Sequence, residues 1–177
     1  RLWARSKRPA AAFALCQACF AAALPASLYA TRCLHELAGV PRGEGLGVLT
    51  LLFWALLLLA PVSAPHGALF ALGHRMRERE RAGSESGGFV YGWQTLGTLA
   101  GGLILTFWLI PRFQSFRIVL AVSTIDLLFC VLVLARAREE RSPRLQGLCG
   151  LGAAAAAVLA LGPAAGALHW SSVKSQW

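Results

Sequence analysis

Charge is what this sequence lacks over most of its length. Charged residues make up 14% of the chain, against roughly 25% in an ordinary soluble domain. The few that occur fall between five long stretches, leaving those stretches almost free of Asp, Glu, Lys and Arg. The stretches also lack a polar stripe recurring every three to four residues, so they do not read as the amphipathic helices of a soluble bundle. Cysteine is sparse. Of the five, Cys16, Cys19, Cys130 and Cys149 lie inside the stretches and Cys33 just beyond the first, so they form no disulfide framework. Cys16-Gln-Ala-Cys19 is followed by Phe20 instead of the His that covalent haem attachment needs, and the cysteines read as small apolar packing residues. Four histidines, with only His66 well inside a stretch, exclude an intrachain bis-histidine haem and leave no Cys/His cluster at metal-ligand spacing. The sequence has no phosphate loop, no G-x-G-x-x-G after a strand and no nucleophile elbow. These absences leave no complete catalytic constellation, no metal site and no expected cofactor within the chain.

What is present is hydrophobic length. Hydrophobic residues make up 56% of the 177 positions. The apolar runs predict five membrane spans at about 9–31, 46–73, 88–111, 118–135 and 146–169. Each is long enough to cross a hydrocarbon core of about 30 Å, which takes roughly 20 helical residues. In lipid every backbone amide needs a partner inside its own segment, so runs of this kind imply helices. The expected fold is therefore all-α, a polytopic integral membrane protein occupying residues 9–170. A basic pre-segment (1–8) precedes it, and a tail or linker (171–177) follows.

The net charge of +9 would suggest nucleic acid in a soluble protein, but here the cations are sorted by loop. Arg1, Arg5, Lys7, Arg8, Arg75, Arg77, Arg79, Arg81, Arg136, Arg138, Arg141 and Arg144 fall on one side of a five-span topology. Only Arg32, Arg42, Arg112, Arg117 and Lys174 fall on the other. This asymmetry places the N-terminus and the charged loop 74–85 in the cytoplasm and the C-terminus outside, and it removes the argument for nucleic acid. The basic side also suits anionic lipid headgroups. Tyr29, Trp108 and Trp170 then line up near the outer ends of their spans, as an interfacial aromatic belt does.

Several residues inside the spans stand out. Asp126 is the sharpest, because an ionised carboxylate at the centre of a membrane helix costs about 2.5–3.5 kcal/mol on insertion scales. It is expected to face protein or a cavity, as a proton or cation relay or as one side of an interhelical hydrogen bond. His66 follows Pro61-Val62-Ser63-Ala64-Pro65, where two prolines four apart predict a kink or break in the second span. Gln94 and Thr95 in the third span read as helix–helix contacts, with pathway lining as the alternative. The small pairs Gly88/Gly92, Gly97/Gly101 and Gly162/Gly166 are candidate helix-packing positions, since a G-x-x-x-G spacing lets two backbones approach closely. The short 111–117 loop predicts a tight antiparallel hairpin between spans three and four. The fifth span, nearly all small residues, is expected to lie buried among other helices.

Two segments carry a resemblance. Pro61–Arg75 (PVSAPHGALFALGHR) and Gly88–Pro111 (GFVYGWQTLGTLAGGLILTFWLIP) resemble the membrane segments of spermidine synthase-like proteins of the fused transporter/spermidine synthase type. Tyr91, Thr95, Gly97, Gly101 and Gly102 hold the pattern, Gln94 replaces the usual Asn, and Asp126 stands where a polar Asn often occurs. The resemblance implies that such helices precede a soluble aminopropyltransferase-like domain. None of that domain's residues lies in this sequence, so none is carried over. The expected role is a membrane-embedded structural or scaffold domain, in contact with the bilayer and with other membrane subunits or a fused soluble domain. A small-solute or polyamine transporter fragment and the membrane half of an aminopropyltransferase-like enzyme are the alternatives, in a bacterial inner membrane.

Overall fold

In the computed structural model, residues 9–40, 45–80, 86–137 and 142–174 are described. The expectations placed on the basic pre-segment, the glycine- and serine-rich stretch after the second span, the middle of the last charged loop and the final three residues lie outside them. All regular structure among the described residues is helical. The helices are α1 (Pro9–Arg32), α2 (Leu34–Ala38), α3 (Val48–Glu80), α4 (Ser86–Ile104), α5 (Ser115–Arg136), α6 (Pro143–Leu161) and α7 (Ala164–Lys174). A π-helical segment, Leu105–Leu109, continues α4. Four of them, over Pro9–Arg32, Val48–Arg77, Ser115–Arg136 and Pro143–Leu161, are long and apolar enough to cross a membrane. α4 falls outside that group, because Gly, Gln and Thr dilute its 19 α-helical residues.

Neighbour relations run α4, α3, α1, α5, α6 across the molecule, with α1 at the centre between α3 and α5. The sequence of α1 explains that place. Its buried positions are Pro9, Ala10, Ala12, Ala14, Cys16 and Ala21, small residues that let a helix approach from two sides. Ala12 and Cys16 form a cluster with Leu72 of α3, and Ala14 forms another with Cys130 and Leu134 of α5 and Cys149 of α6.

The α5–α6 contact is the most extensive in the molecule. Leu120, Leu127 and Leu134 recur every seven residues on α5 and meet small residues on α6. Leu120 packs with Ala160, Leu127 reaches within 3.3 Å of where a Cβ on Gly152 would stand, and Leu134 packs with Cys149. This is knobs-into-holes packing with the knobs on one helix. Only one face of α6 is buried, through Cys149, Ala153, Ala156 and Ala160. Leu148, Leu151, Val158 and Leu161 point outward, which corrects the expectation of a helix buried all round.

Four further expectations are corrected. The second span is not broken at its prolines: α3 runs continuously from Val48 to Glu80 with Pro61 and Pro65 inside it. Pro61 and Pro65 free the Leu57 and Pro61 carbonyls, yet the helix continues through both; close by, Ser27 Oγ of α1 donates to the Leu58 carbonyl at 2.8 Å. The helix also carries through His74–Glu80, which the sequence placed in a loop. The fifth span is two helices, because Gly162 before Pro163 takes an extended ψ of 177° and a residue preceding proline is pushed out of the helical region. Finally, α4 and α5 do not pack as a hairpin. The chain turns quickly at 110–114, yet α4 leans on α3 instead, where Arg77 stacks over the Phe89 ring at 3.8 Å.

The short helix expected in the outer loop is present as α2. It ends at Gly39, whose left-handed φ of 64° lets two amides turn back onto the Glu36 and His35 carbonyls.

Candidate functional site

The polar side chains of the spans gather at the middle of the helices, as two pairs. The first is Asp126 of α5 with Gln17 of α1. Gln17 Nε2 donates to Asp126 Oδ1 at 2.8 Å, and the two residues are 109 positions apart in the chain. The other carboxylate oxygen, Oδ2, is enclosed and has no hydrogen-bond partner among the described residues. One turn to either side, the α1–α5 seam is stitched twice more. Ser123 Oγ donates to the Ala21 carbonyl at 2.7 Å, and the Cys130 thiol to the Ala14 carbonyl at 3.5 Å. Positions 14, 17 and 21 of α1 thus meet 130, 126 and 123 of α5, the register of two antiparallel helices presenting one face each.

The second pair is His66 of α3 with Gln94 of α4. His66 Nε2 and Gln94 Nε2 lie 3.5 Å apart, the outer limit of a hydrogen bond. The His66 ring also faces Phe20 of α1, with centroids 5.7 Å apart. Gln94 belongs to a polar stripe on α4, Tyr91, Gln94, Thr95 and Thr98, which lines an open cleft of about 350 Å³. Thr95 and Thr98 turn their hydroxyls onto their own helix, to the Tyr91 and Gln94 carbonyls at 2.9 Å each. Gln94 therefore holds the less committed polar group of that cleft, and His66 is not among its lining residues. No hydrogen bond joins the two pairs among the described residues, and the Phe20 ring sits beside His66 on the α1 side.

Of the residues singled out by sequence, His66 and Gln94 are brought together, with Thr95 one position further along α4. Asp126 stands apart from them. Gln17 was missed, because it lies between two cysteines in a stretch that read as apolar packing. Its one signal is that it is the only amide side chain in the first span. The glycines behave unexpectedly. A Cβ built on Gly88, Gly92, Gly97, Gly101 or Gly166 would meet nothing within 4 Å, and one on Gly162 would meet its own helix at the Val158 carbonyl, 2.8 Å away. The glycine that does carry a helix contact is Gly152, which belongs to none of the pairs picked by spacing.

A third cluster closes the end where α1 finishes and α7 begins. The Arg32 guanidinium lies 3.1 Å from His169 Nδ1 and donates to Ser172 Oγ at 3.0 Å. Its Cζ sits 5.1 Å above the Phe116 ring, and Tyr29 packs beside that ring. Arg32 thereby pins α7 to the ends of α1 and α5.

Among the described residues no group of three or more His, Cys, Asp or Glu side chains is placed to hold a metal ion. All five cysteines are free thiols. No protein-family model, curated protein or solved structure matches this chain.

Proposed function

We propose that this chain is a five-span integral membrane domain whose role is assembly: it is a subunit of a larger membrane complex, or the anchor of a spermidine synthase-like protein. The carrying observation is α4. It touches only α3 to any extent, and its bulky and small faces alike stand open. A helix bearing Tyr91, Gln94, Thr95 and Thr98 together with five open glycines suits neither lipid tails nor water, and such faces are normally covered by other helices. In this reading α4 and its π-helical continuation form the third span. The N-terminus and the α3–α4 and α5–α6 connections lie in the cytoplasm of a bacterial cell, and the C-terminus lies outside the inner membrane. Wide exposure of leucine on α3 and α6 supports contact with acyl chains.

The second reading, a small-solute or polyamine transporter fragment, is favoured by the mid-depth polar pairs. Engagement of Asp126 by Gln17 speaks for a structural carboxyl, and among the described residues no carboxylate joins the His66–Gln94 pair to attract a polyamine. An aminopropyltransferase-like activity would reside in a domain outside this sequence, and the outward C-terminus of the five-span topology would separate such a domain from cytoplasmic substrates.

Cysteine labelling at Ser84 and Ser171, in a background with the native cysteines replaced by Ala, tests the topology. The expected result is labelling of position 84 only from the cytoplasm and position 171 only from outside. If α4 does not cross, both positions react from the same side and the five-span arrangement falls.

A further inference from the structure

The end of α4 is irregular at the same level as the break between α6 and α7, and the two irregularities face one groove. At Leu105–Leu109 the helix widens to π, with the Ile110 amide reaching back to the Leu105 carbonyl at 2.9 Å. A single π turn inserts an extra residue and re-aims the side chains that follow, and such turns concentrate at functional places. Trp108 and Leu109 lie within that widened turn. Opposite, α6 stops at Leu161 because Gly162 and Pro163 end it. Between them lies a groove of about 310 Å³, floored by Ile118, Ala121 and Ala160 and walled by Trp108, Leu109 and Leu161. Its volume falls in the range of small-molecule sites, about 300–1,000 Å³.

The groove is apolar except at its mouth, where Arg117 lines it. Arg112 does not line the groove but holds one of its wall residues, Trp108. It donates to the Trp108 carbonyl at 3.2 Å and lies 5.7 Å from the centre of the Trp108 ring. Neither cation faces an acidic residue of its own loop, since 110–117 reads Ile-Pro-Arg-Phe-Gln-Ser-Phe-Arg. An apolar slot with Arg117 in its lining, and with Arg112 bonded to its wall residue Trp108, is complementary in charge and polarity to one class of molecule.

We propose that this groove binds one acyl chain of an anionic phospholipid, with the lipid phosphate held by Arg117 and Arg112. The proposal rests on the reading of the chain as a membrane protein. Arginine suits the role because its planar guanidinium meets phosphate oxygens through two donors at once. The ring of Trp108 occupies the headgroup level, where amphipathic aromatics prefer to sit. A zwitterionic lipid presents the same chain and phosphate but adds a cationic group that the two arginines repel, so the site selects for net negative charge.

Native mass spectrometry of the full chain, released from micelles supplemented with phosphatidylglycerol or phosphatidylcholine, tests this. The expected result is one phosphatidylglycerol retained per chain, with phosphatidylcholine retained at least tenfold less. R117Q should abolish that preference. Ala121→Phe, which fills the groove from an exposed position, should remove retention of either lipid while the protein keeps its helical circular dichroism. Equal retention of both lipids, unaffected by R117Q and Ala121→Phe, identifies annular lipid only and overturns the proposal. Failure of the chain to insert into liposomes at all would instead overturn the membrane reading on which it stands.

Discussion

The α5–α6 pair and α4 are both rich in small residues, and only the first uses them for contact. α6 sets Cys149, Ala153, Ala156 and Ala160 on one stripe, with Gly152 beside it, and α5 answers with leucines seven apart. α4 sets Gly97 and Gly101 at the same kind of spacing, yet none of the described residues projects into the space beside them. The difference teaches that a small-residue stripe is permissive. Close approach also needs a complementary row of bulky side chains on the neighbour, because attraction between membrane helices comes from van der Waals contact and interhelical hydrogen bonds.

Truncating a leucine in each region should separate the two most widely. Leu134 is fully buried, whereas Leu103 on α4 is 51% exposed. Leu134→Ala is expected to lower unfolding stability in detergent by about 2–5 kcal/mol. Leu103→Ala should stay within about 0.5 kcal/mol, and a matching loss at Leu103 would show that α4 is packed in the isolated chain.

Enlarging a glycine sharpens the contrast next. Gly152→Leu must displace Leu127, which already stands 3.3 Å from an added Cβ, and overpacking of this kind costs about 1–3 kcal/mol. Gly97→Leu should leave the stability of the isolated chain unchanged and weaken recovery of whatever partner co-purifies with it. Unfolding by Gly97→Leu would break the assignment of that stripe to an intermolecular contact.

Smaller still is the polar seam. Asp126→Asn keeps an acceptor for Gln17 and should change stability by less than about 1 kcal/mol. Asp126→Leu strands the Gln17 amide and should cost about 1–3 kcal/mol. Equal effects would mean that the Gln17 bond contributes nothing. The smallest expected change is Ser27→Ala, which removes one bond to the Leu58 carbonyl. Interhelical hydrogen bonds in membrane proteins average about 0.6 kcal/mol, so a differential-scanning shift near the detection limit is the prediction.

Much of this architecture was legible as one-dimensional information. Helix positions followed from charge-free runs and the cations that bound them, because length and polarity are properties of a segment alone. α1 and α5 begin and end within a few residues of the expected spans. Pairings were not legible. Gln17 finds Asp126 across 109 positions, and no local pattern around Gln17 encodes that meeting. The prolines of α3 misled for a related reason. Their effect on a helix depends on how that helix is packed, and the long contact of α3 with α1 is visible only in three dimensions. Glycine spacing records which backbones can approach, and among the described residues only Gly152 meets a knob from another helix of this chain.

The central place of α1 has a consequence for how the chain is made. α1 emerges first, but the partner of its mid-span amide is synthesised 109 residues later. At typical elongation rates of about 5–20 residues per second, Gln17 waits roughly 5–20 s for Asp126. During that interval α1 and α3 are available to each other while the other flank of α1 stays uncovered. In the membrane role proposed above, departure from the insertion machinery would wait for α5, and a nascent chain arrested before residue 126 is expected to remain associated with that machinery or with a chaperone that shields the waiting amide.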